Sequence, residues 1–158
     1  MSTGRRLPWT AGWFGACSRS MTASHNLEVT LLPHRYAIFR LPPGQYDALD
    51  CPGFRDDMAF LSITRTREEI SGVCEESSMP AGVTAQRGRR LLRVQGPLDF
   101  SLTGILASLT SPLAKAGVSI FAISTYDTDY LLLAEQDLDL AIAALQRAGH
   151  TVHRSTSE

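Results

Sequence analysis

The 158 residues carry a formal net charge of -1, with 44% hydrophobic and 20% charged residues, the balance of a soluble globular protein. So small a charge argues against nucleic acid as a main partner, and no apolar run approaches the roughly 18 residues that a membrane span requires. Cys17, Cys51 and Cys74 have no metal-type spacing, and their odd number fits a reducing, cytoplasmic setting better than a disulfide framework.

Residues 1–24 stand apart. Arg5 and Arg6 precede an apolar stretch ending in Phe14-Gly15-Ala16-Cys17, but Pro8, Thr10 and two glycines interrupt it and no Leu/Ile/Val run follows. This is a poor export signal; the stretch reads as a disordered leader, or as an upstream extension of a frame whose natural start is Met21. From Leu27 the pattern tightens. Leu27, Val29 and Leu31 alternate with polar residues, the period of a half-buried strand, and Tyr36 to Leu41 forms a second strand ended by Pro42-Pro43-Gly44. Gln45 to Asp57 reads as a polar loop with room for one helical turn. Ala59 to Arg65 and Glu69 to Cys74 form a hairpin around Thr66-Arg67-Glu68. Ser77 to Gly88 is rich in Ser, Pro and Gly, and reads as a connector between two modules, 25–86 and 87–158. The basic cluster Arg87, Arg89 and Arg90 reads as a solvated loop.

In the second module Leu91 to Gln95 is a strand. Leu98, Leu102, Ile105, Leu106, Leu109 and Leu113 then recur at helical spacing. Asp99 or Ser101 is placed to cap this helix, Pro112 to kink its last turn, and Gly117 to end it. Val118 to Thr125 is apolar on both faces and is expected to be a central strand or one covered on both sides; Tyr130 to Ala134 returns antiparallel to it. Asp137 and Asp139 open a second helix, Arg147 and Gly149 close it, and His150 to Arg154 is the last strand. The order β-α-β-β-α-β is ferredoxin-like, an α+β fold. The hairpin at Ala59-Phe60-Leu61-Ser62-Ile63-Thr64 matches Ser119-Ile120-Phe121-Ala122-Ile123-Ser124 at an offset of about sixty, which suggests an internal duplication whose first copy has a shortened first helix.

No catalytic or metal kit accompanies this frame. Phosphate-loop, dinucleotide and zinc-protease patterns are absent. His150 and His153 fall on opposite faces of a strand, a poor metal pair, and Cys74 sits late in a strand where a buried thiol serves as a small hydrophobe. The chemistry gathers instead at two places that a βαββαβ unit brings to neighbouring edges of one sheet. At Gly96-Pro97-Leu98-Asp99-Phe100-Ser101-Leu102 a helix start would offer free amides to a carboxylate. At Ser124-Thr125-Tyr126-Asp127-Thr128-Asp129 a hairpin tip would offer hydroxyls and a counter-charge for an ammonium group. The same residues also suit plain capping and turn chemistry.

The runs Gly96 to Leu106 and Pro112 to Tyr130, together with Ala148-Gly149-His150, resemble small bacterial proteins built from tandem ACT domains, and the ACT modules of the eukaryotic cytosolic arginine sensors. The resemblance covers about Leu27 to Arg154 and is tighter in the second half. It implies a tandem pair of ACT-like modules with antiparallel sheets and no enzymatic activity or cofactor. It also implies a homodimer or higher homo-oligomer, and an amino acid bound at a module interface by Asp99, Phe100, Ser101, Leu102, Ser124, Thr125, Tyr126 and Asp129. Thr125 and Asp129 keep the sensors' residue types. Leu102 replaces an acidic contact and Asp99 a glycine, so the resemblance implies an amino acid rather than arginine in particular. A ligand-free interaction module acting on an enzyme of amino-acid metabolism is the alternative.

Overall fold

Among the described residues, alternating apolar side chains gather eight strands into one sheet, with two helices against it. The computed structural model describes residues 26–45, 58–79, 82–98 and 103–155. The expected leader and most of the loop after Gly44 lie outside these. The strands are β1 (Glu28–Leu31), β2 (Tyr36–Leu41), β3 (Ser62–Arg65), β4 (Ile70–Glu75), β5 (Thr84–Val94), β6 (Ile120–Ser124), β7 (Asp129–Ala134) and β8 (Thr151–Arg154); the helices are α1 (Ile105–Lys115) and α2 (Leu138–Arg147).

Strand β5 organises the sheet. Its first part pairs with β2, from Thr84 opposite Arg40 to Arg89 opposite Tyr36, and its last residues pair with β1, Leu92 opposite Leu31 and Val94 opposite Val29. Its other edge pairs with β7 from Arg89 to Arg93. Strands β4 and β3 extend the sheet beyond β2, and β6 extends it beyond β7. This corrects the reading of Ser77 to Gly88 as a connector: Thr84 to Gly88 is strand, and the division at 86/87 falls inside β5. The arginines are not a solvated loop either. Arg90 is largely covered; it donates to the carbonyls of Leu32 and Pro33 and lies 3.6 Å from Glu135, whose carboxylate also takes Arg35 at 2.9 Å. That cluster clamps the link between β1 and β2 to the end of β7.

The second module runs β5-α1-β6-β7-α2-β8, the ferredoxin-like order. It is not closed by its own strands. Strand β8 pairs in parallel with β1, from Glu28 opposite Thr151 to Leu31 opposite Arg154, so β1 lies between β8 and β5. All other pairings are antiparallel. The expectation that Val118 to Thr125 is covered on both sides is also corrected. Among the described residues β6 pairs only with β7, so it is an edge, and Phe121 is 40% exposed.

Period-two burial explains the apolar run of β7. Leu131 and Leu133 join Val29, Leu31, Leu92 and Val94 beneath Leu109, Leu113, Leu138 and Leu145 of the helices. Leu132 and Tyr130 face the opposite way and meet Tyr36, Phe60 and Val73. The sheet therefore curls, bringing together strands that are not hydrogen-bonded neighbours, and Phe60 bridges the halves with ring centroids 6.2 Å from Tyr36 and 4.6 Å from Tyr130. On α1 the buried residues Ile105, Leu109 and Leu113 follow the four-residue spacing of one helical face.

The expected kink at Pro112 has a partner. Pro112 has no N–H, so the Ser108 carbonyl one turn earlier lacks its helical donor. The Nε2 of buried His150 lies 3.1 Å from that carbonyl, and its Nδ1 accepts the N–H of Leu27 at 3.3 Å. One imidazole thus repairs α1 and fastens the start of β1.

Two outcomes follow. A fragment spanning 87–158 lacks Val29 and Leu31 and leaves β5 and β8 without the strand between them, so it should fail to give a cooperative melt, whereas 26–158 should melt cooperatively. Replacing His150 by Ala should cost about 1–3 kcal/mol in chemical denaturation, because two buried polar groups lose their partner. In a Pro112→Ala background the cost should be about 1 kcal/mol smaller, since the restored N–H satisfies Ser108.

Candidate functional site

The two segments singled out in the sequence do meet. Beyond β5 the chain turns at Gly96 and Pro97, and the Leu98 N–H donates to the Asp127 carbonyl at 2.8 Å. The Thr128 hydroxyl donates to the Val94 carbonyl at the end of β5. Gly96 is needed for the fit: a Cβ there would lie 2.8 Å from the Asp127 carbonyl oxygen. The corner is also tied to the inserted strand, because the Gln95 N–H donates to the Glu28 carbonyl at 2.8 Å.

The helix start is displaced from its expected place. Helix α1 begins at Ile105, after Gly104 in the left-handed conformation with φ 84°, and among the described residues no side chain caps it. This corrects the helix drawn from Leu98. Asp99, Phe100, Ser101 and Leu102 lie outside the described residues. What the structure sets against the hairpin tip is therefore the turn Gln95 to Leu98.

Ser124, Thr125, Tyr126 and Asp129 all lie at the tip joining β6 and β7. The Ser124 hydroxyl donates to the Asp129 carboxylate at 2.5 Å. The Thr125 hydroxyl donates to the Thr128 carbonyl at 3.0 Å and accepts the Thr128 N–H at 3.3 Å, a closed four-residue turn. The first hairpin repeats this construction 59 positions earlier. There the Thr66 hydroxyl donates to the Glu69 carbonyl and accepts the N–H groups of Glu68 and Glu69. Thr125 is thus engaged by its own turn, while Tyr126 is 80% exposed. Sequence reasoning gave no part to Thr128, although the Thr-x-x-Thr spacing carries a signal for it.

The other candidate groups are accounted for structurally. Cys74 is fully buried, and burial above all raises its thiol from 9.0 to about 11, with Arg87 opposing and Glu75 adding to the effect. Burial first, and then Glu75, raises the Tyr36 phenol to about 12. His153 lies 3.7 Å from Glu28, while His150 faces Leu27 and Ser108. Among the described residues no three His, Cys, Asp or Glu side chains form a metal-binding group. A hollow of about 390 Å³ separates β3 and β4 from β6, lined by Ser62, Thr64, Ser71, Val73, Phe121 and Ile123 among others.

A family model described as the ACT domain matches residues 84–147, and a model of an N-terminal domain matches 34–82. The cytosolic arginine sensor for mTORC1 subunit 1 of Bos taurus is 41% identical over 140 residues, 77% of this chain and 42% of that protein. The chain thus spans about two fifths of that curated relative. A protein of Agrobacterium tumefaciens with a crystal structure is 35% identical, with a TM-score of 0.73 over 85% of this chain and 97% of that one. The regulatory subunit of aspartate kinase from Thermus thermophilus shares the fold at 13% identity, with a TM-score of 0.56 over 76% of this chain and 95% of that one.

Replacing Gly96 by Ala should push the Asp127 carbonyl away and break the Leu98 bond. The expected loss is about 1–3 kcal/mol of stability by denaturation, with amide shifts concentrated at residues 95–98 and 125–128.

Proposed function

The chain belongs to the ACT-domain family, and on that premise we propose that it is a non-catalytic regulatory protein of the cytoplasm that binds an amino acid or a similar small metabolite. The observation that carries the reading is the contact of the Gln95 to Leu98 turn with the Thr125 to Thr128 tip. Carboxylates at Asp127 and Asp129 stand there for an ammonium group. Ser124, Thr125, Tyr126 and Asp127 are exposed, so a bound ligand needs a second surface to cover it. A further copy of the chain supplies that surface in a homodimer or higher homo-oligomer.

The mechanism is differential binding. A ligand held between modules stabilises one arrangement by the difference of its affinities for the two states, and only that difference shifts the equilibrium. Similarity to the cytosolic arginine sensor supports a regulatory part.

Calorimetric titration of the full chain with each proteinogenic amino acid should give a saturable heat for at least one of them, lost in Asp129→Ala. Absence of heat for all twenty at millimolar concentration would overturn the reading. It would favour an interaction module instead, a reading to which the unpaired edge of β6 lends support.

A further inference from the structure

The helix layer presents an outer surface unlike an ordinary solvated one. The exposed positions of α1 and α2 include Ala107, Ala114, Leu140 and Ala143, where charged residues usually sit on a face turned to water. Leu140 is 46% exposed. Beside it lies a hollow of about 370 Å³, floored by Pro112, Ala116, Ala144 and Ala148 and flanked by Lys115 and Arg147. Both cations are exposed, and among the described residues neither has an ion-pair partner. An apolar floor depleted of charge with a basic rim has the composition of an interaction surface.

The same chain carries a shape and charge that match it. Tyr126 is the most exposed of the large hydrophobic side chains among the described residues, and Asp127 follows it on the tip between β6 and β7. The Asp127 carboxylate has no ion pair among the described residues, and Asp129 adds a second negative charge. A tyrosine ring fits a hollow of this size, and two carboxylates match the two cations. The tip does not line the hollow of its own copy.

We propose that the Tyr126-Asp127 tip of one copy docks between Lys115 and Arg147 on the helix layer of a second copy. The two surfaces differ, so each contact pairs a tip with a hollow: reciprocal docking closes a two-fold dimer, and one-way docking builds a ring or an open chain of copies. The inference does not rest on amino-acid binding, because nothing in it requires a ligand at the tip.

Sedimentation velocity of the full chain from micromolar to millimolar concentration tests it. At low salt the weight-average mass should rise past that of a single copy as concentration increases, and high salt should reverse the rise, since exposed charges are screened. Tyr126→Ala and the pair K115E/R147E should each weaken association by about tenfold or more. The neutral pair K115Q/R147Q, which removes the charges without reversing them, should show a smaller loss and guards against misfolding of the reversed pair. Asp127→Lys alone should also fail to associate. Mixing it with K115E/R147E should restore association, because the acidic tip of one then meets the basic hollow of the other. A mass that stays at one copy at every concentration, or association that ignores these substitutions, overturns the proposal.

Discussion

Strand β5 has two edges, and the rest of the molecule depends on how the chain fills them. One edge carries β2 and then β1 in succession, and the other carries β7. Backbone N–H and C=O groups buried in a sheet need partners, so neither half can leave β5 without exposing a row of them. The eleven residues of this strand thereby turn two modules into one continuous sheet. A change felt at the end of β5 reaches both halves through hydrogen bonds, with no hinge between them.

The inserted strand β1 sharpens the point. It contributes Val29 and Leu31 to the core beneath the helices, and it stands between the first and last strands of the second module. Its two ends are fastened differently. At one end the His150 imidazole takes the Leu27 N–H and fills the carbonyl vacated by Pro112. At the other, Arg35 and Arg90 converge on Glu135. The histidine bond joins two buried polar groups, and leaving either unpaired is costly; the ion pairs are partly exposed and weaker. The start of β1 is thus the firmer end, and it is the end that adjoins the Gln95 to Leu98 turn.

Local patterns were legible in the sequence wherever a face was half-buried. Strand β2, both hairpins and the closing glycine turns of the helices appear where periodicity and turn residues put them. The start of β5 was hidden because Thr84 to Arg90 is polar and basic; it is strand by virtue of its neighbours β2 and β7, a tertiary effect that outweighs composition. The helix drawn from Leu98 failed for a different reason. Leu98 packs into the same core as α1 while preceding the helix, so a matching apolar spacing came from the turn. The place of β1 beside β8 was not legible at all, because residues about 120 positions apart carry no local signal of pairing. Of the candidate site, the meeting of turn and tip was foreseen from the fold class, while the relation between Pro112 and His150 was visible only once the helix and β8 were placed.

The two hairpins show how one turn construction carries two different surfaces. Thr66 and Thr125 close their turns with the same hydroxyl bonds, so turn geometry does not distinguish the halves. What differs is the residue carried at the tip and what lies against it. The first tip bears Arg67 and Glu68, both ordinary solvated groups. The second bears Tyr126 and Asp127, with the Asp127 carbonyl already holding Leu98. An exposed tyrosine on a backbone fixed by a closed turn gives up little conformational freedom when it is covered. The shared architecture of the two turns puts the difference between the tips in their side chains, and the close fit of Gly96 against the Asp127 carbonyl ties any force on the second tip to the end of β5.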